Sequence, residues 1–160
     1  MRVYIRHCTR FVKSDAVVLE VLRCRTYDRA MPDYIRDVPG LCTPPEPYSY
    51  AVKVGTTLHL AGQVALNEKQ QIVGRTLSEQ AEQVWKNIDC VLRHCGSDIS
   101  KIVKINYFLQ DIRELPAEIS IRKRLFSNGQ FPAVTAVQVS ALGLQGLMLE
   151  VEVTAEVSSG

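Results

Sequence analysis

Phe131-Pro132-Ala133-Val134-Thr135-Ala136-Val137, followed by Leu147-Met148-Leu149-Glu150-Val151-Glu152-Val153-Thr154-Ala155-Glu156-Val157, decides how this chain folds. In the second run Leu147, Leu149, Val151, Val153 and Ala155 fall on one side of an extended chain. Met148, Glu150, Glu152, Thr154 and Glu156 fall on the other, the two-residue period of a strand with one buried face. The first run predicts a strand over Ala133–Val139. Both lie in Leu125–Gly160, which holds Glu150, Glu152 and Glu156 but no lysine, arginine or histidine.

Upstream, Ile102–Leu109 predicts a further strand, with Ile102, Lys104, Asn106 and Phe108 facing one way and Val103, Ile105, Tyr107 and Leu109 the other. Two helices flank it. Leu77–Cys95 carries Leu77, Ala81, Val84, Ile88, Val91, Leu92 and Cys95 at three- and four-residue intervals, a single apolar stripe. Thr76 and Glu79 have capping-box spacing at its start, Gly96 stops it, and Trp85 is expected at the edge of the stripe. The second helix begins near Leu115, with Pro116 in the first turn, and runs to about Ser127 before Gly129. Ser49–Val54 and Leu58–Gln63 form a predicted hairpin about Gly55-Thr56-Thr57, preceded by the proline-rich Pro39–Pro47 turn region. The order β-β-α-β-α-β-β, helices on one face of one sheet, predicts an α+β fold.

A chain of 160 residues suits one domain with a sizeable core. No apolar run is long enough to span a bilayer as a helix, and a cytoplasmic location is expected. The net charge of +2 is unevenly spread: residues 1–30 carry seven Lys/Arg against three Asp/Glu, whereas the remainder carries twelve against fourteen. Residues 1–30 therefore read as a basic extension, with Val17–Leu22 as a candidate strand or short helix, and 31–160 as the domain. Met31 is a candidate natural start. Asp15, Glu20 and Asp28 argue against a transit peptide. The five cysteines, Cys8, Cys24, Cys42, Cys90 and Cys95, include no C-x-x-C pair and read as reduced thiols. His59 and His94 lack partners at ligand spacing, so no metal site is expected.

Six pieces in order carry a resemblance: Pro47-Tyr48-Ser49; Ala61-Gly62-Gln63-Val64; Gln80 with Asn87 and Val91-Leu92; Val103-Lys104 with Phe108 and Asp111; Phe131-Pro132-Ala133; and Leu149-Glu150-Val151-Glu152. Over Pro32–Val157 the chain resembles the RidA/YjgF family, also called endoribonuclease L-PSP. The resemblance implies a chorismate-mutase-like fold and a homotrimer with a barrel-like core. It also implies small-molecule clefts between subunits and hydrolysis of 2-imino or enamino acids to keto acids and ammonia without metal or cofactor. In the family an arginine grips the substrate carboxylate by a two-pronged contact, and a glutamate helps place the attacking water.

The arginine of that pattern follows Phe-Pro-Ala, and Val134 stands there in this sequence. The small hydroxyl residue before Gly62 corresponds to Ala61, the asparagine of the second helix to Ile119, and the cysteine beyond the arginine to Ala136. Tyr48, Gly62 and Glu150 remain, Glu150 as the candidate water-orienting residue. A cleft so altered is expected to reject anionic imino acids, since a second carboxylate beside Glu150 would lack a counter-ion. It suits a neutral or cationic molecule instead. Arg75, or Arg113 from a neighbouring subunit, is a candidate replacement cation. Three functions stay open: a small-molecule binder without ordinary deaminase activity, a hydrolase of a neutral imine or enamine using Glu150, and RNA binding or cleavage. The negative balance outside residues 1–30 weighs against the third. Bland roles compete throughout: Tyr48 packing on its proline turn, Glu150 and Glu152 as polar-face residues, and Arg122-Lys123-Arg124 as a solvated helix face.

Overall fold

The computed structural model describes residues 31–157, so expectations for the 1–30 extension, Val17–Leu22 included, lie outside the described residues. Six strands form one mixed sheet: β1 (Asp33–Ile35), β2 (Ala51–Val54), β3 (Thr57–Leu60), β4 (Ile102–Leu109), β5 (Ala133–Gln138) and β6 (Leu149–Glu156). Helices α1 (Leu77–His94) and α2 (Leu115–Leu125) intervene, and the strand order across the sheet is β1-β2-β3-β6-β4-β5. The α+β expectation holds. β4 and β5 run parallel, joined through α2, while every other neighbouring pair is antiparallel.

The alternation in β6 is as expected: Leu149, Val151, Val153 and Ala155 are buried, and Glu150, Glu152 and Thr154 lie on the other face. β4 departs from its expected phase at one end. A register shift between Ile102 and Lys104 leaves Val103 extra, so Ile102 is buried on the same face as Ile105, Tyr107 and Leu109. A bulge reverses the phase on one side of itself, which alternation alone does not reveal. The β2–β3 turn is tighter than expected, because Val54 pairs with Thr57 and leaves Gly55-Thr56 as the loop. Gly55 supplies the positive φ, +61°, that such a turn requires. β1 was not anticipated; its three residues pair with β2 and carry no readable period.

α1 begins with the capping box as read: Thr76 accepts from the Glu79 amide, and the Glu79 carboxylate accepts from the Thr76 amide. Its stripe is buried, but Trp85 is not at the edge. Trp85 is 3% exposed and meets Phe126 edge-on, ring centroids 6.1 Å apart, where α1 and the end of α2 converge. Arg122 also departs from the solvated-face reading, its guanidinium lying 5.3 Å from the Tyr107 ring centre. Arg124 does reach the surface, where it pairs with Glu82 on α1. Cys42, Cys90 and Cys95 are unbridged thiols.

Gln80, 1% exposed, ties the core to the loop before β6. Its amide donates to the Gly146 carbonyl at 2.8 Å, and its carbonyl accepts from the Met148 amide at 2.8 Å. Asn87, about two turns further along the same face of α1, donates to the Val64 and Leu66 carbonyls at 3.1 and 2.9 Å. Buried amides so satisfied fix loops that have no ladder of their own.

Candidate functional site

Glu150 projects from β6 on the face away from the helices, opposite Phe108 of β4. Its carboxylate rests directly on Gly62. A Cβ placed on Gly62 would lie 1.8 Å from Glu150 Oε1, 2.7 Å from Cδ and 2.9 Å from Cγ. The adjoining Gln63 is bridged to Val151 by two backbone hydrogen bonds of 2.8 and 3.0 Å, so this approach is built into the sheet. Gly62 is thus a space requirement for the Glu150 side chain.

The pair opens into a cavity of about 550 Å³. Tyr48, Tyr50 and Ala61 line it, with Leu144 and Leu147 forming an aliphatic wall and Asn67 and Asn87 contributing amides. Tyr48 is 44% exposed at the mouth, and Tyr50 behind it is buried, the rings edge-to-face with centroids 6.2 Å apart. Tyr50 donates its hydroxyl proton to the Cys42 carbonyl at 2.8 Å, fixing the turn region against the sheet. Tyr48 thus packs on an aromatic neighbour, Tyr50.

Among the described residues lining this cavity there is no lysine, arginine or histidine. Burial pushes the Glu150 carboxyl above its ordinary range, and the nearby Glu152 charge adds to the effect. The Tyr48 hydroxyl is raised too, chiefly by burial, with Cys42, Glu150 and Glu46 adding to it and Arg36 opposing. Arg36 itself donates to the Pro44 and Glu46 carbonyls. Glu152, one pair along, accepts from Asn106 at 2.6 Å.

The remaining sequence-picked residues lie elsewhere. In the parallel ladder Val134 sits beside Ile105 and Ala136 beside Tyr107, which places both on the helix side of the sheet. Val134, 39% exposed on the sheet edge, shares a separate concavity of about 350 Å³ with Ile119, Phe131, Pro132 and the side chains of Arg122 and Lys123. Ala136 packs half-buried against the core. One chain therefore brings Tyr48, Ala61, Gly62 and Glu150 together but holds Val134 and Ile119 apart from them. Within one chain neither Arg75 nor Arg113 lines the Glu150 cavity, and the expectation for Arg113 concerns a neighbouring subunit. Arg113 is held by Asp111 at 2.5 Å, which lowers the Asp111 carboxyl to about 2.

Sequence reasoning missed a second buried carboxyl. Glu118 on α2 is 0% exposed, and Arg122 Nη2 is 3.7 Å from its Oε2. Trp85 Nε1, the Tyr107 hydroxyl and both Glu118 oxygens are buried without completed hydrogen bonds. Burial raises the Glu118 carboxyl, against the opposing pull of Tyr107, Arg122 and Trp85. The sequence held no signal for it, because Trp85, whose indole N–H needs a polar partner when buried, reads from helical spacing as an edge residue.

These features define the class: a small α+β domain, six strands in one mixed sheet with two helices, and a carboxylate seated on a glycine at the floor of an open cavity. The chain belongs to the endoribonuclease L-PSP family, the RidA/YjgF proteins, whose family model matches residues 42–157. It is similar to the 2-iminobutanoate/2-iminopropanoate deaminase of Homo sapiens, 36% identical over 110 residues, covering 68% of this chain and 79% of that protein. The protein of that name from Dermatophagoides farinae is 33% identical over 112 residues, covering 69% and 87%. A Rid-family protein of unknown function from Yersinia pestis has a similar structure, with TM-score 0.74 and 32% identity over 79% of this chain and all of that one. Among the described residues no helix is long and apolar enough to cross a membrane.

Proposed function

We propose that this chain is a RidA-like protein that binds a small molecule in clefts between the subunits of a cytoplasmic homotrimer, and that ordinary deamination of 2-imino and enamino acids has been lost. The observation that carries the reading is the division of the site: Glu150 and Tyr48 lie in one cavity, Val134 and Ile119 in another on the other side of the sheet. Joining them requires a second chain, and the residue the second chain would offer at the family's arginine position is valine. An apolar side chain cannot replace a two-pronged, charge-assisted grip on a carboxylate. The exposed β5 edge, with Val134 and Val137 open to solvent, supports the assembly, because an unpaired apolar edge is ordinarily covered.

The test is a coupled assay with freshly generated 2-iminobutanoate. The expected result is ammonia release no faster than in buffer, and rapid release overturns the loss of activity. In that event Lys123→Met tells whether the ammonium at the rim of the Val134 concavity has taken over the carboxylate. Sedimentation of the intact protein at three times the chain mass is expected for the assembly.

One observation favours a second reading, a hydrolase of neutral imines or enamines. A carboxyl raised by burial is a stronger base toward water than an ordinary carboxylate. On this reading Glu150→Gln abolishes turnover of a neutral imine such as N-benzylidenemethylamine, and unchanged turnover excludes it.

A further inference from the structure

A single chain leaves two charged groups incomplete, one on each side of the sheet. Glu150 lies on the face away from the helices with its carboxyl drawn partly out of water. Among the described residues it has no ion-pair partner. Arg122 lies on the helix side, lining the Val134 concavity with its side chain only 16% exposed. It is held from two directions. Its guanidinium lies 5.3 Å from the Tyr107 ring centre, and Nη2 stands 3.7 Å from Glu118 Oε2, beyond hydrogen-bonding reach. Among the described residues none of its N–H donors completes a hydrogen bond. Glu118 is a weak counter-ion, because burial raises its carboxyl and so opposes ionisation. A guanidinium so placed keeps much of its charge, and part of its planar fork, for a further acceptor. Lys123 beside it is exposed, and an ammonium on a flexible stem is more strongly hydrated and loses more freedom when fixed.

We propose that Arg122 is the residue a second chain contributes to the Glu150 site: in the assembled cleft the partner subunit's Arg122 pairs with Glu150, supplying from α2 the counter-charge that Val134 cannot supply from β5. The inference rests on the intersubunit cleft proposed above and names the contact that completes it. Within one chain the sheet keeps the two groups apart. Tyr107, against which Arg122 lies, pairs with the buried Val151 on the helix side, whereas Glu150 stands opposite Phe108 on the other face. The ion pair therefore forms only between chains. Closing the cleft takes both groups further from water, where an unpaired charge is costly and opposite charges attract more strongly. Tyr107 and Glu118 act as positioning residues. They hold the guanidinium at the concavity before the second chain arrives, so little side-chain freedom is lost on pairing.

The experiment follows the Glu150 carboxyl by NMR in the intact protein, with its carbon isotopically labelled and assigned from the resonance that Glu150→Gln removes. Each sample is checked for assembly by sedimentation. Arg122→Met is expected to raise the Glu150 carboxyl by about 1–3 pH units, the range for a carboxylate that loses an adjacent arginine. Lys123→Met is expected to leave it in place. Labelled parent chains exchanged into an excess of unlabelled Arg122→Met chains show the raised value too, although their own Arg122 is intact. If Arg122→Met alone loses its fold, Glu118→Gln combined with Arg122→Met gives the same reading without a buried carboxylate left unpartnered. A titration unmoved by Arg122→Met, moved by Lys123→Met instead, or held down by the labelled chain's own Arg122 in the mixed assembly overturns the inference and leaves the homotrimer standing. Sedimentation of the parent as a single chain overturns both the inference and the assembly beneath it.

Discussion

Replacing Gly62 with alanine tests whether the Gly62–Glu150 contact organises the site. The added Cβ would fall 1.8 Å from Oε1, 2.7 Å from Cδ and 2.9 Å from Cγ of Glu150, where carbon contacts ordinarily stand at about 3.5–4 Å. The obstructing atoms belong to the tip of a side chain, so the strain falls on Glu150. Driving that side chain off its rotamer costs about 0.5–1.5 kcal/mol, and residual overpacking brings the expected loss to about 1–3 kcal/mol. Gly62 does not use a positive φ, so alanine is compatible with its backbone. Once Glu150 is shortened to alanine the clash disappears. The Gly62→Ala change should then be neutral or stabilising by about 0.4–1 kcal/mol, through the lowered entropy of the unfolded chain. Urea denaturation of the four proteins at one fixed concentration gives the cycle, and the coupling between positions 62 and 150 is expected at about 1–3 kcal/mol. Equal effects of Gly62→Ala in both backgrounds, within about 0.5 kcal/mol, refute the reasoning.

Glu118→Gln reverses an ordinary expectation. Because burial raises the native Glu118 carboxyl above its ordinary 4.5, the native state holds that proton more tightly than the unfolded chain. The resulting stability is full below the ordinary value and is lost as pH rises through the native one. The glutamine variant should therefore gain on the parent as pH rises above the ordinary carboxyl value of 4.5, read from melting temperatures, and a gap that moves the other way contradicts the assignment. Phe126→Ala removes the ring that Trp85 meets edge-on and should cost about 3–5 kcal/mol in chemical denaturation; a loss below about 1 kcal/mol would show that the junction is not packed as described. Thr76→Ala opens the capping box and is expected to cost about 1 kcal/mol, with hydrogen exchange accelerated in the first turn of α1. Unchanged exchange there counts against the cap.

Elements with one wet and one dry face were legible because burial writes itself into sequence as a period. β6 and α1 show this, and the Thr76–Glu79 spacing marked the start of α1. Ile102 was misphased because a bulge is a backbone event, and β1 is too short for any period to register. Trp85 was placed at the stripe's edge by helical geometry alone, yet Phe126 arrives from another element and covers it. The site divides in the same way. Tyr48, Gly62 and Glu150 were chosen through resemblance, but the reason for Gly62 is a contact between residues far apart in sequence. Of the cavity's aliphatic wall, Leu147 opens the alternating run, whereas Leu144 lies in a segment without periodicity whose end is held by Gln80.

That segment has a consequence for how such a domain diversifies. The Val139 amide donates to the Leu109 carbonyl at 2.9 Å, and the Gln110 amide donates to Met148 at 2.9 Å, so both ends of the loop are moored to the end of β4. Gln80 adds a third mooring from the core. Between these points Ala141, Gly143 and Leu144 face solvent or the cavity and take no part in the sheet. Insertions, deletions and changes of side chain there reshape the entrance while the sheet, the helix caps and the glycine seat stay as they are. The loop is a replaceable panel, through which descendants of one fold can exchange ligands at little cost to folding.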